Sequence, residues 1–556
     1  MRKIIYSLLG VAFLFSACED RLNIEQKGVI SVENFYRTDD DAQNALNNLY
    51  QSFCLNIAGN EGIYVALPLL LNEAGDDMLA AGNMYGDNDF GAQINEFRYD
   101  SQNEVIKNTY WGLYGVIYDC NLILDKIEPN SAVKKRVCAE ARSLRAWSHL
   151  MLAIGWNCPP LVDHILSPSD KPANNAVEGG HNGLLEWCAK EAEAAAADLD
   201  ERVNPSDKVG ASKVTKGFAL TVAGKARLFK GDYAEAKANL KQVITSDKYE
   251  LVPTNRWADL FHVSGDLCEE MIFQINVLDN AGVDDWSNKI QRTSWMWIQF
   301  WNWRTDKLAS KPSFIGPDGW GGHSIRADFA ERMLANDGDS PRRKATFLTG
   351  DEFLYEMDWN GTKDKGLTRA QLEVSNQIGI KDPTGLYGFG GYFANKFVAR
   401  DEDNEKGWYG FKNLTLFRYA EVLLMYAEAC AQTNDPDGLQ YLQEIQRRAG
   451  SAHISSQLTL EEVKNEKAYE MWLEAVRFPD MVRWGDTDGV VNSGKDIPTT
   501  KDAFFSKGES KHRIYVEYSN PNKGRTGFVK GKHEYFAYPF AATSINPNLK
   551  QNPSGE

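Results

Sequence analysis

The sequence predicts an all-α scaffold of packed helix pairs that supports one large, irregular, loop-rich half. Three observations carry this. Apolar residues recur with helical spacing through residues 32–249 and again through 413–485. The stretch 216–247 has the internal layout of a helix–turn–helix repeat. Between about 250 and 412 that spacing gives way to Gly, Asp, Asn and aromatic residues with frequent turn signals.

The chain opens with MRKIIYSLLGVAFLFSAC, which has the order of a secretion signal. Arg2 and Lys3 are followed by an apolar run from Ile4 to Phe15, then the small residues Ser16 and Ala17, then Cys18. The run is about a dozen residues long, well short of the ~20 that span a bilayer core. FSAC is similar to a bacterial lipobox, with Phe15 in place of the usual Leu. Residues 1–17 are therefore expected to be a signal peptide, Cys18 to carry lipid, and 18–31 to form a polar tether. No later segment has 18 uninterrupted apolar residues, so the lipid is the membrane attachment the sequence supports. Residues 32–556 read as one domain, closed by an irregular segment at 486–556.

In the run VENFYRTDDDAQNALNNLY, Asp39 or Asp40 can cap a helix whose apolar face is Ala42, Leu46, Leu49 and Phe53. Helical spacing returns over 109–127, 139–155 and 186–199. The stretch KGFALTVAGKARLFKGDYAEAKANLKQVITSD at 216–247 is tetratricopeptide-like: Ala219, Ala223 and Ala226 permit close helix approach, and Gly231 and Asp232 supply the turn. A weaker copy is expected at 414–449, followed by one helix over 459–478. Residues 269–278 could form a strand. A lone repeat unit cannot bury its own face, so these units must stack.

Net charge is −16, from 61 Lys and Arg against 77 Asp and Glu. That argues against nucleic acid and against a polybasic membrane surface, and is indifferent to neutral sugars. Cys120, Cys138, Cys188 and Cys430 fall in helical patterns, where buried free thiols are expected. The eight His residues are scattered without a metal-ligand spacing, no GxSxG elbow occurs, and no cofactor is implied. Residues 489–496 miss the P-loop pattern, with Asp496 where a hydroxyl is required, and 401–407 break the calcium-loop pattern. A glycosidase needs two carboxylates about 5–9.5 Å apart, and no motif marks such a pair.

The aromatic residues point to a binding chemistry. Six of the 15 tryptophans fall within 35 residues: Trp286, Trp295, Trp297, Trp301, Trp303 and Trp320. A flat indole stacks on the C–H face of a sugar ring, while Asn, Asp, Arg and Gln take its hydroxyl rim. Asn302 and Arg304 lie between the tryptophans, and turn-like sequence around Trp286 and Trp320 favours exposure. About half of the six are expected in the core, as aromatics commonly are. Asp77, Asn83 and Tyr85, in NEAGDDMLAAGNMYGDNDF at 72–90, are further candidates.

The chain resembles the SusD/RagB outer-membrane nutrient-binding lipoproteins. The resemblance rests on the lipid-type signal at Cys18, FYRTDDDAQNALNNLY, NEAGDD, YDCNLILDKI, AEARSLRAWSHLMLAIGWNCPPLV, LFRYAEVLLMYAEA, EKAYEMWLEAVRFPDMVRWG and the closing YFAYPFAATSINPNLKQNPSG. It implies glycan capture at the cell exterior, partnership with a TonB-dependent outer-membrane transporter, anchoring in the outer membrane, and no catalysis. It also implies an aromatic platform from the loop after NEAGDD and from the mid-chain region, which here means Tyr85 and Trp286 through Trp320. Peptide capture, or a transporter lid that holds no ligand, are the alternatives.

Overall fold

The computed structural model describes residues 36–57, 66–80, 89–174, 177–276, 319–321, 323–349, 392–400, 412–493 and 527–556, with Asn302, Glu352 and Asp403. The first helix, α1 (Asp39–Ile57), buries Ala42, Leu46, Leu49 and Phe53, as its periodicity predicts. Its cap is Thr38 rather than Asp39 or Asp40. The Asp41 amide donates to the Thr38 hydroxyl (3.1 Å) and the Thr38 amide donates to the Asp41 carboxylate (2.8 Å), a reciprocal capping box.

Four long helices follow the short α2 (Ala66–Glu73) and α3 (Asp89–Asn95): α4 (Glu104–Lys126), α5 (Ala132–Trp156), α6 (Gly180–Ala196) and α7 (Lys216–Lys230). Each packs on the next in sequence, with α1 against α4 and α5. Small residues make this possible: Ala219, Ala223 and Ala226 are buried on α7 where it meets its neighbours. The turn into α8 (Tyr233–Ile244) is made by Gly231 at φ 87°, a left-handed conformation that suits glycine.

The second repeat-like pair is α9 (Tyr419–Gln432) and α10 (Gly438–Ala449). It stacks on the first as the repeat logic requires. Lys237 donates to Asp435 (3.0 Å), Lys241 to Asp437 (2.8 Å), and buried Lys225 pairs with Glu421 (2.9 Å). The sequence expectation needs correcting at its start, because Leu414–Arg418 is a strand that pairs antiparallel with Met271–Ile275. The strand proposed at 269–278 is thus real, and its partner is the segment expected to be helical.

The helix expected over 459–478 is also two helices, α11 (Leu460–Glu470) and α12 (Arg477–Trp484). Between them Leu473 and Ala475 both sit at φ 62°. Asn72 holds this break: its side-chain amide donates to the Leu473 carbonyl (3.1 Å) and its oxygen accepts from the Ala475 amide (2.8 Å). Two further short antiparallel ladders join Met78–Ala80 to His323–Ile325 and Phe347–Thr349 to Tyr392–Ala394.

Most buried apolar side chains form one continuous cluster running through both helix pairs and the strands. A buried ion network ties the loop-rich half to the helices. Arg418 bonds Glu270 and Glu470 (2.7 Å each) and Glu474 (2.6 Å), Arg448 bonds Glu270 and Glu470 (2.5 Å each), and Arg342 bonds Asp337 (2.7 Å), Glu470 (3.0 Å) and Glu466. Cys120, Cys138, Cys188 and Cys430 are buried and free. No helix among the described residues is long and apolar enough to cross a membrane.

Candidate ligand-binding site

The site region is organised by the NEAGDD segment. Helix α2 ends at Glu73, and the Gly75 amide closes a turn on the Asn72 carbonyl (2.9 Å). Asn95 fixes the turn from below, donating to the carbonyls of Glu73 (3.0 Å) and Met78 (3.3 Å). Asp76 forms a two-point pair with Arg477 (2.7 and 3.0 Å). Burial works against the Asp76 charge, but Arg477 outweighs it and holds the carboxyl below its usual range.

Asp77 does not fit its expected role as an acceptor for sugar hydroxyls. Its side chain is only 2 % exposed, and its Oδ2 has no hydrogen-bond partner among the described residues. Burial, reinforced by the neighbouring Asp76 charge, pushes its carboxyl up to about 7. Its backbone carbonyl accepts from the Trp472 indole (3.2 Å) and the Arg326 amide (3.1 Å). Asp77 therefore positions the loop from inside.

The ladder that follows joins the two predicted site segments. Met78, Leu79 and Ala80 pair with Ile325, Ser324 and His323. Ala80 and His323 face one another at one end of the ladder. The chain enters residues 81–88, which hold Asn83 and Tyr85, at the same end where it arrives from Trp320. Phe329 and Trp472 stack beneath, with ring centroids 6.4 Å apart.

Trp320 is partly exposed, with one face packed on the core. Asn302 anchors its segment. The Asn302 carbonyl accepts from the Gly321 amide (2.9 Å), and its side-chain oxygen accepts from the Ala399 amide (2.6 Å). A Cβ on Gly319 would lie 2.3 Å from the Asn302 carbonyl oxygen, so only glycine permits this approach. Asn302, read from sequence as a hydroxyl partner, is fully buried and serves as a clamp. Asn83, Tyr85, Trp286, Trp295, Trp297, Trp301, Trp303, Arg304 and Cys18 lie outside the described residues.

Sequence reasoning missed the support beneath the site: Asn72, the Asp76–Arg477 pair and Trp472. NEAGDD stands out as a motif, but nothing in it signals a partner some 400 positions away. Among the described residues, no group of His, Cys, Asp and Glu is placed to hold a metal ion.

Residues 269–554 match the SusD family model, and the chain belongs to the SusD family. A SusD-like protein of Formosa agariphila is 23% identical over 519 residues, covering 87% of this chain and 90% of that protein. A SusD-like protein of Bacteroides ovatus is 23% identical over 509 residues, covering 87% and 83%. Among solved structures, surface glycan-binding protein A from Bacteroides thetaiotaomicron, in complex with laminarihexaose, superposes with a TM-score of 0.71 at 20% identity, covering 93% of this chain and 99% of that one. A laminarin-binding SusD-like protein gives the same TM-score and identity, covering 93% and 100%.

Proposed function

We propose that this chain is a cell-surface glycan-binding lipoprotein that captures an oligosaccharide or polysaccharide, hands it to a TonB-dependent outer-membrane transporter, and performs no catalysis itself. Family membership supports the capture role, and relatives of the same fold are named for binding laminarin and laminarihexaose. The observation that supports the reading is the β-ladder register, in which Ala80 pairs with His323 at the end where the chain returns from Trp320. There Trp286, Trp320 and Tyr85 stack on sugar rings, with Trp295, Trp297, Trp301 and Trp303 extending the aromatic surface. Asn83 and Arg304 bond hydroxyls, and Cys18 holds the protein to the outer membrane through its lipid.

Affinity electrophoresis through gels containing single polysaccharides tests this. Retardation by one glycan, weakened by Trp286→Ala and by Trp320→Ala, is the expected result. Each stacked ring contributes on the order of 1 kcal/mol beyond burial, so each variant should bind about fivefold more weakly. Binding of peptides with no glycan retardation would replace this reading with peptide capture.

A further inference from the structure

Away from the NEAGDD ladder, α4 carries a partly exposed row of aromatic side chains. Trp111, Tyr114 and Tyr118 stand at i, i+3 and i+7, which places them in one row. Trp111 is 39% exposed and Tyr118 55%. At 1.5 Å rise per residue the two lie roughly 10 Å apart along the axis, enough for successive sugar rings. Tyr110 sets the Trp111 plane edge-on from beneath, with centroids 5.6 Å apart at 82°.

The row forms the floor of a groove of about 260 Å³. One wall is the loop carrying Pro160, His164 and Lys171, and the other is the C-terminal segment carrying Ile545 and Leu549. Both walls are pinned. The Tyr114 hydroxyl donates to the Pro160 carbonyl (2.7 Å), Asn546 donates to the Pro172 carbonyl (2.8 Å), and Asn548 donates to the Lys171 carbonyl (2.7 Å). The groove is therefore preformed, and binding there need order little chain.

Its polar groups decide what it suits. The Trp111 indole N–H, the Tyr118 hydroxyl and the Lys171 ammonium have no hydrogen-bond partner among the described residues. An apolar protein surface laid over them would bury unsatisfied donors, at a cost for each. A saccharide offers an apolar ring face to the aromatics and hydroxyl oxygens to the donors. We propose that this groove is a second glycan-binding site, separate from the NEAGDD site, that takes a short stretch of neutral oligosaccharide along Trp111 and Tyr118. It shares its ligand class with the proposed function, but stands on different residues.

The test uses the full chain in native gels containing laminarin, amylopectin, xyloglucan or galactomannan. Variants are the pair Trp111→Ala with Tyr118→Ala, the conservative Trp111→Tyr, and separately Trp286→Ala. The expected result is a loss of retardation of at least about fivefold in the double variant, for a glycan the wild type holds. Trp111→Tyr should restore part of it, and the melting temperature should be unchanged. Undiminished retardation in the double variant, with loss in Trp286→Ala, overturns the second site and leaves the first. Loss in the double variant alone keeps this site and removes the other. No retardation of the wild type on any of the four gels overturns both, and leaves the aromatic row to a protein partner.

Discussion

Asp77 and His149 respond to pH in opposite senses. The Asp77 carboxyl titrates near 7 in the folded protein, raised by burial and by Asp76 from about 3.8. A raised carboxyl contributes stability below its unfolded pKa and loses it as pH rises through the folded value. Asp77→Asn should therefore match the wild type at pH 4 and below and exceed it by a margin that grows as pH rises to 8. Calorimetric melting from pH 4 to 8 checks this: a gap between the two proteins that fails to open with pH would contradict it. His149 is fully buried, with Nε2 3.2 Å from the Val162 carbonyl and Nδ1 without a hydrogen-bond partner among the described residues. Burial lowers its pKa to about 4. Its contribution is complete above about 6.5 and lost as pH falls through 4. The wild type should weaken over that window, and His149→Gln should flatten the acid limb of the melting curve. Neither behaviour is legible in sequence, because burial sets both and burial is a property of the packed chain.

Among the elements, the junction of α11 and α12 gives the sharpest test. Asn72 supplies both hydrogen bonds that hold the 471–476 break open. Asn72→Ala leaves a buried carbonyl and an amide unpaired, which costs about 1–3 kcal/mol. Urea unfolding should show that loss in the midpoint, and an unchanged midpoint would mean that solvent reaches the break. The helices α1 and α4 to α8 were legible because each carries its own apolar stripe and turn residues. The break was not, since EKAYEMWLEAVRFPDM has no glycine or early proline to announce it. Leu473 and Ala475 adopt left-handed conformations because a side chain from NEAGDD captures their backbone. Likewise, LTLFR reads as helix by its neighbours, and becomes a strand because Met271–Ile275 lies beside it.

Across the whole molecule, the Arg342, Arg418 and Arg448 network joins the loop-rich half to the repeat helices. Removing one member strands its partners as buried charges. Arg418→Met should cost about 3–5 kcal/mol. Its readout is a lowered melting temperature together with weaker glycan binding, since Glu470 ends α11 and Glu474 lies within the break that supports the site. A melting temperature equal to the wild type would show that the network adds little. These charges lie far apart in the sequence and meet only in three dimensions. The candidate site was half legible for the same reason. NEAGDD and the tryptophan run stand out as compositions, but the pairing of Met78–Ala80 with His323–Ile325 is a tertiary contact, and Asp77 and Asn302 proved to be internal supports.

The repeat-like helices, their turns, the buried thiols and the family could be read from the residues alone, because periodicity, small residues and motifs are local properties of a chain. The tertiary structure alone decided which polar residues face inward, where a regular helix breaks, and which distant segments share one end of a ladder. Those depend on burial and on hydrogen bonds between residues hundreds of positions apart, and no local pattern encodes a partner at that distance.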